Sequence, residues 1–433
     1  MTSYTVVVND CAAVPVVGGP ISVRTRNTQH GDRNFLLNFD YATAGLPRQL
    51  TEREMDWLEV AGQIFAVDMA CKRGDGDLSW ARDITAHLPV RDPAYWQSQS
   101  PALQEIFGDF TSDRIHLHFE SEPNPSPAPR QRSQPFPDHD CVALVSGGVD
   151  SFVGAVGLIA DGRRTLAVSH TAAGATTRAQ SRVEEVLVGM YSGFERVGLS
   201  AAKQGNSFPD PEKSQRSRSF LFLAVSALVA SVGGTNEVFI NENGPMAIHL
   251  PMTAARIGSL STHTAAPAVL ERVEALARMV LGSNITIRNT LLAMTKPEVV
   301  ERGVQLGVGG PLAETVSCWS IGRTSRHCGV CAPCLIRRIS FEWCGTSDCV
   351  YDRDTFGDPA VLDSESASDN LTHLIRLVED LASKSDLDLQ LDYPELLNGG
   401  RSLPLGQNIA LHRRWADQAL GVLSAYPNYQ ARR

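Results

Sequence analysis

The chain has 433 residues, of which 43% are hydrophobic and 20% are charged, and its formal net charge is −9. This length exceeds the size at which one hydrophobic core stops growing, so we expect two domains with room for a terminal subdomain. A net negative charge provides no broad basic field and argues against nucleic acid as a direct partner. The longest apolar stretch, residues 220–232, is too short to span a bilayer, so we expect a buried helix and no membrane partner.

Residues 1–120 have the pattern of a smaller α+β domain. Their first residues place no basic flank ahead of an apolar segment, which argues against a secretory signal and predicts a cytoplasmic protein. A helix is predicted after Thr51, because Glu54 stands three residues later and completes a capping-box pattern. β-branched and alternating runs predict strands at residues 4–8, 21–25, 35–39 and 114–119.

Residues 121–139 are rich in proline, serine, glutamine and arginine, and we interpret them as a semi-rigid linker. Short apolar runs then alternate with amphipathic stretches over residues 140–349, which is typical of a doubly wound α/β domain with a parallel sheet. The predicted strands lie at residues 142–145, 165–170, 237–241 and 285–289. Residues 350–433 are acidic, with helical patterns at 371–381 and 410–423, and we predict a C-terminal helical segment there.

A six-residue motif follows the first strand of the α/β domain and precedes an apolar helix. Two glycines allow the backbone to approach phosphate oxygens, and the helix that follows offers unpaired amides at its positive end. A carboxylate beside phosphates requires a bridging cation such as Mg²⁺. The alternative is a tight structural turn. The motif consists of Ser146, Gly147, Gly148, Val149, Asp150 and Ser151.

Four of the nine cysteines crowd into a short segment with the spacing Cys-x9-Cys-x2-Cys-x2-Cys. In an intracellular chain this pattern favours metal ligation over disulfides. Four thiolates make a closed tetrahedral site, so we predict structural zinc, with an iron–sulfur cluster or a buried cysteine corner as the alternatives. The ligands would be Cys318, Cys328, Cys331 and Cys334.

The motif at residues 146–151 resembles the PP-loop of the ATP pyrophosphatase superfamily, whose fold is of the adenine nucleotide alpha hydrolase type. Combined with the string SCWSIGRTSRHCGVCAPCLIRR, it resembles the QueC family of 7-cyano-7-deazaguanine synthases. Residues 218–223 and 295–308 are similar to two further segments of that family. The resemblance covers about residues 141–341 and nothing before the linker.

The resemblance implies that ATP activates the carboxylate of 7-carboxy-7-deazaguanine as an acyl adenylate, with release of pyrophosphate, before an amine attacks. It implies that residues 146–151 hold ATP and Mg²⁺, and that the four cysteines hold zinc. Arg218 and Lys296 are candidates for neutralising charge on the α-phosphate and pyrophosphate. The alternative for each is a surface charge at a helix N-terminus.

Two segments depart from the family pattern, at residues 169–174 and 241–245, where the family places groups near its substrate. With the long N-terminal domain, the chain resembles the QatC group, the QueC-like components of the Qat anti-phage defence systems. That resemblance implies a partner protein whose amine replaces ammonia as the acceptor, with residues 1–120 as its docking domain.

Three other functions remain open from the sequence. A 7-cyano-7-deazaguanine synthase using ammonia would need no protein partner. A tRNA-thiolating PP-loop enzyme would require a basic face, which the net charge of −9 disfavours. A non-catalytic nucleotide-binding module would have no need of Asp150 beside phosphates.

Overall fold

A computed structural model describes residues 2–14, 19–74, 80–122, 124–127, 129–170, 175–205, 212, 214–252, 265–321 and 326–432. Within these ranges the strands are β1 Thr2–Val8, β2 Ile21–Val23, β3 Phe35–Asn38, β4 Arg82–Val90, β5 Arg114–Ser121, β6 Cys141–Leu144, β7 Thr165–His170, β8 Glu195–Lys203, β9 Glu237–Phe239 and β10 Thr286–Arg288. They form a four-stranded sheet, β2-β1-β4-β5, and a six-stranded sheet, β10-β9-β6-β7-β8-β3.

The helices lie between and after these strands. They are α1 Asp40–Thr43, α2 Glu52–Ala70, α3 Pro93–Thr111, α4 Val149–Ala160, α5 Ala175–Met190, α6 Arg218–Gly233, α7 Gly244–Ile248, α8 Pro267–Leu281, α9 Lys296–Gln305, α10 Gly309–Leu312, α11 Ala332–Trp343, α12 Glu365–Ser383, α13 Asp386–Asp392, α14 Leu405–Leu423 and α15 Pro427–Gln430. None of the helices in the described ranges is long and apolar enough to cross a membrane.

The six-stranded sheet confirms the expected doubly wound α/β architecture. Strands β6 to β10 run parallel, and β6 lies between β7 and β9. The chain therefore leaves β6 towards one edge of the sheet and returns on its other side at β9. In such sheets, ligands bind beyond the carboxyl ends of the strands where the order reverses. The crevice after β6 and β9 is therefore the expected binding position.

Residues 1–120 share both a sheet and a core with the α/β domain. Strand β3 pairs antiparallel with β8 and forms the edge of the larger sheet. Helix α2 packs on the buried helix α6, where Trp57 Nε1 donates to the carbonyl of Ala224 at 2.8 Å. The Trp57 and Phe220 rings meet edge to face at 5.9 Å. The smaller sheet is entirely parallel, and one of the strands predicted for it lies in the other sheet.

The C-terminal helices form a second core around α12 and α14. Helix α14 packs against α11, whose N-terminus carries two of the clustered cysteines. It also packs against α7 and α9, which follow the carboxyl ends of β9 and β10. The C-terminal segment therefore lies against the same end of the sheet as the crevice.

Candidate functional site

The motif at residues 146–151 forms the turn between β6 and α4. Gly147 has a φ of +86°, a conformation that side-chain-bearing residues rarely adopt. Gly148 is the N-cap of α4, and no side chain of the described residues caps this helix. The Ser146 and Ser151 hydroxyl oxygens lie 3.0 Å apart and brace the turn. The open amides at the start of α4 are suited to an anion such as phosphate.

Two neighbouring segments fix the loop in position. The amide of Val316 donates to the carbonyl of Gly147 at 2.9 Å. Gln180 Nε2 donates to the carbonyl of His170 at 3.0 Å, and a Cβ on Gly147 would lie 3.1 Å from Gln180 Cγ. The segment that leads to Cys318 therefore supports the loop directly.

Asp150 is buried in the first turn of α4. Its Oδ2 accepts from Lys296 Nζ at 2.7 Å and from Asn243 Nδ2 at 3.1 Å. Its Oδ1 is also buried, and none of the described residues donates a hydrogen bond to it. A carboxylate oxygen left without a donor beside an anion site is suited to a hard cation, so Asp150 fits Mg²⁺.

Lys296 reaches Asp150 from the first position of α9. The helix begins with a capping box between Thr295 and Glu298, which fixes the backbone that carries the lysine. Lys296 is buried, unlike a typical surface charge at a helix N-terminus. The structure thus brings together Asp150 of the predicted ATP and Mg²⁺ motif and the predicted phosphate-neutralising Lys296.

Glu242 is a further candidate and lies in the segment 241–245, which departs from the family pattern. It follows β9, and Asn289 fixes its backbone by accepting from the Glu242 amide at 3.2 Å and donating to its carbonyl at 2.7 Å. Burial raises the pKa of Glu242 to about 7, the negative charge of Asp150 adds to the rise, and Lys296 opposes it. The feature of the sequence that points to Glu242 is its position as an acidic residue at the carboxyl end of a predicted strand.

These residues line one cleft of about 460 Å³, a volume typical of small-molecule sites. The cleft lies at the carboxyl ends of β6, β7 and β9 and includes Glu242 and Lys296. Arg218 also lines it, from the N-terminus of α6, and donates to Gln215 Oε1 at 2.9 Å. Of the segment 169–174, which departs from the family pattern, residues 171–174 lie outside the described residues.

The four clustered cysteines converge beside the cleft. Their sulfur atoms all lie within 4.8 Å of one another, which fits a single tetrahedral metal ion. Backbone amides of Ser320 and Cys328 point at Cys318 Sγ, at 3.3 and 3.4 Å. Donors aimed at sulfur favour the thiolate form that a metal requires. The cluster is composed of Cys318, Cys328, Cys331 and Cys334.

A buried arginine connects the cysteine cluster to the segment before it. Arg337 donates to Asp348 Oδ1 at 2.8 Å and to Thr315 Oγ1 at 2.9 Å. The amide of Ser317 donates to His327 Nε2 at 3.1 Å. Residues 315–317, which include the amide that supports Gly147, are therefore held by the cysteine segment.

Comparison with known proteins gives a consistent result for this part of the chain. Residues 216–345 match a family model described as queuosine biosynthesis protein QueC. A 7-cyano-7-deazaguanine synthase from Aromatoleum aromaticum is 26% identical over 228 residues, which cover 48% of this chain and 95% of that protein. One from Azoarcus sp. is 28% identical over 228 residues, covering 48% and 94%. One from Myxococcus xanthus is 26% identical over 232 residues, covering 48% and 94%.

The family match contains Arg218, Glu242, Lys296 and all four clustered cysteines, whereas the loop at 146–151 precedes it. The comparisons thus show a QueC-type region, and the structure shows that this region contains a cysteine cluster suited to zinc. Residues 346–433 lie beyond the matched stretch.

Proposed function

We propose that this chain is a QueC-like ligase that uses ATP to adenylate the carboxylate of a 7-deazaguanine, such as 7-carboxy-7-deazaguanine, and transfers the acyl group to an amine. The observation that carries the proposal is the buried Asp150–Lys296 pair at the open N-terminus of α4. The pair offers Mg²⁺ a carboxylate oxygen to which none of the described residues donates, and it offers the phosphates a cation. The names of the similar synthases support the choice of a 7-deazaguanine.

The proposed reaction has two steps, adenylation and acyl transfer. An oxygen of the substrate carboxylate bonds to the α-phosphorus of ATP, and pyrophosphate departs. The amine nitrogen then bonds to the carbonyl carbon, AMP departs, and the nitrogen loses a proton. The proposal assigns the phosphates to the loop amides and the charge that develops on them to Lys296, with Arg218 as a second cation.

Glu242 is suited to accepting the proton released by the amine. Its carboxyl has a pKa of about 7, so ionised and neutral forms are both populated near neutral pH. It lines the same cleft as Asp150 and Lys296. The zinc ion would have no open position for water if four thiolates hold it, so we assign it a structural role beneath the loop.

We further propose that the acceptor is an amine on a partner protein of an anti-phage defence system, and that residues 1–120 dock this partner. Support comes from the altered segment after β9 and from the position of residues 1–120 outside the family match. The second candidate is a 7-cyano-7-deazaguanine synthase that uses ammonia, which the names of the similar proteins favour.

Intact-mass spectrometry separates the two candidates. The protein and any co-expressed partner are incubated with ATP, Mg²⁺ and 7-carboxy-7-deazaguanine, and small molecules are analysed in parallel. A mass gain on a protein, dependent on Asp150, establishes a conjugating ligase. A free amide or nitrile instead establishes a biosynthetic synthase. No pyrophosphate release with any of these acceptors would refute the adenylation itself.

A further inference from the structure

A second, smaller pocket opens beside the cleft, between α7, the start of α11, and α14. Its volume is about 50 Å³, and its lining is mostly apolar. Met246, Trp319 and Ile336 line both the pocket and the cleft, so the two cavities adjoin each other. A ligand whose carboxylate lies at the loop can therefore extend towards this pocket.

One wall of the pocket carries a buried hydrogen-bond acceptor. His412 is 1% exposed, and its Nδ1 lies 2.9 Å from the carbonyl oxygen of Asn408. Because a carbonyl can only accept, Nδ1 carries the proton and Nε2 is left with a lone pair. Burial lowers the pKa of His412 to about 4, so the ring is neutral at pH 7. Throughout the described ranges, no group donates to Nε2.

A buried donor lines the same pocket one helical turn later. Trp415 Nε1 is buried, and none of the residues that the structure describes accepts its proton. Buried polar groups are almost always hydrogen-bonded, so two such atoms in one apolar pocket, without partners among the described residues, are suited to a ligand. One acceptor and one donor, about a helical turn apart on α14, complement a group that carries both an N–H and a C=O.

The pocket and the cleft share an indole in their lining. Trp319 follows Cys318 and remains 55% exposed, although it lines both cavities. An exposed aromatic face in this position is suited to stacking on a planar ring. The apolar lining and the two polar atoms behind it then favour a flat heterocycle over a flexible chain.

We propose that this pocket recognises the lactam edge of the deazaguanine base, with His412 Nε2 and Trp415 Nε1 as its hydrogen-bond partners and Trp319 as the stacking surface. The identity of the base rests on the proposed function. His412 and Trp415 lie beyond the family match, which ends at residue 345. The C-terminal segment thus supplies specificity that the matched region does not contain.

The test is the binding of 7-carboxy-7-deazaguanine measured by equilibrium dialysis without ATP. Trp415→Phe keeps an aromatic ring but removes the donor, so the base should bind about tenfold more weakly. Trp343→Phe, which alters a half-exposed indole outside the pocket, should leave binding unchanged. ATP should bind both variants as it binds the wild type. Weaker binding of ATP but not of the base in Trp415→Phe would make the pocket an adenine site and overturn the proposal.

An analogue keeps the test independent of how well a variant folds. The 2-aminopurine analogue of the base lacks the C6 carbonyl and the N1 proton, so the wild type should bind it at least about tenfold more weakly. This preference should shrink in Trp415→Phe. Equal binding of the two ligands by the wild type would mean that water satisfies the two atoms, and would overturn the proposal while leaving adenylation intact. If the wild type prefers the base to its analogue but releases no pyrophosphate, the proposed function is wrong and the assignment of the pocket stands. Failure to bind either ligand would overturn both the proposed function and the assignment of the pocket.

Discussion

Asp150 Oδ2 lies 2.7 Å from Lys296 Nζ, although 146 residues separate them along the chain. Both side chains are about nine-tenths buried. Burying a charged pair removes water from both partners, and that penalty can exceed their attraction, so the pair is poor evidence for a stabilising role. The second carboxylate oxygen of Asp150 is also buried without a donor from the described residues. We infer that the pair is held for chemistry on an anion and a cation.

Asp150→Asn should lower pyrophosphate release by at least about a hundredfold, because the cation site loses its charge while the side chain keeps its shape. The variant also leaves Lys296 buried and unpaired, which lowers the free energy of unfolding. The double variant Asp150→Asn/Lys296→Met removes both charges. It should recover stability, measured by thermal melting, and remain inactive.

Asp161→Asn provides the matched control, since this exposed residue lies at the other end of α4. It should change neither turnover nor melting. Wild-type pyrophosphate release in Asp150→Asn would show that the loop does not act as assigned. Recovery of activity in the double variant would refute a role for Lys296.

Glu242 should make stability depend on pH. Burial and Asp150 raise its pKa from 4.5 to about 7, so between these values the folded protein keeps a proton that the unfolded chain releases. Stability therefore falls as pH rises through this range, and the loss is complete above pH 7. Glu242→Gln has no such charge, so at pH 8 it should be more stable than the wild type by up to about 3 kcal/mol.

The measurement is urea unfolding of wild type and Glu242→Gln at pH 4 and pH 8. The advantage of the variant should be present at pH 8 and absent at pH 4. Asp417→Asn, which alters an exposed carboxylate on α14, controls for a general change in net charge. An advantage of the same size at both pH values would place its origin in packing and not in the carboxyl group.

Gly147→Ala should weaken nucleotide binding in addition to straining the backbone. Gly147 has a φ of +86°, and a new Cβ would lie 3.1 Å from Gln180 Cγ and 3.2 Å from the Gln180 amide nitrogen. Gly162 has a nearly equal φ of +81°, with nothing within 4 Å of the new atom. Each variant should lose roughly 1 kcal/mol to strain. Only Gly147→Ala should weaken ATP binding, by about tenfold or more, because its loop must shift. Equal ATP affinities in the two variants would contradict this.

Local signals in the sequence predicted the features that local interactions determine. The capping box at Thr51 is present, with Glu54 accepting from the Thr51 amide at 2.7 Å, and α2 begins at the next residue. Strand β7 has the predicted bounds, because a continuous apolar run between turns is a strong signal. The doubly wound order follows from alternating strands and helices.

The sequence does not predict two elements, a helix and a strand, whose local signals conflict with their structure. Helix α3 contains Pro101 in its interior, which argues against a helix when the sequence is considered alone. Strand β8 contains Gly198 and two adjacent alanines, a composition that is weak in strand-forming residues. It is stabilised by pairing with β7 on one side and β3 on the other. A local sequence pattern does not predict tertiary contacts of this kind.

Long-range partners could not be predicted from the sequence either. The pattern of β3 indicated a strand but could not show that it joins the larger sheet, because alternation specifies which faces are buried and not which edge is paired. Glu242 lacked a recognisable motif, and its importance appears only when β9 brings it beside Asp150 and Lys296. Lys296 was proposed from family resemblance, and the structure supplies its contact.

Loss of the metal should weaken ATP binding even though no cysteine lies in the loop. The Val316 amide donates to the Gly147 carbonyl at 2.9 Å, and Val316 lies two residues before Cys318. Without a metal the four thiolates repel one another, so the segment that supports the loop should loosen.

We expect the wild type to hold about one zinc ion per chain, measured by mass spectrometry of the metal. Cys328→Ser should lower this zinc content and weaken ATP binding in parallel. Cys11→Ser is the matched control, because Cys11 lies beside β1 of the smaller sheet and donates to the His87 carbonyl, far in sequence from the cluster. Chelation of the wild type should reproduce the defect, and added Zn²⁺ should reverse it there but not in Cys328→Ser. Full ATP affinity in a zinc-free protein would show that the backbone contact at Gly147 persists without the metal, and the cluster would then stabilise only its own segment.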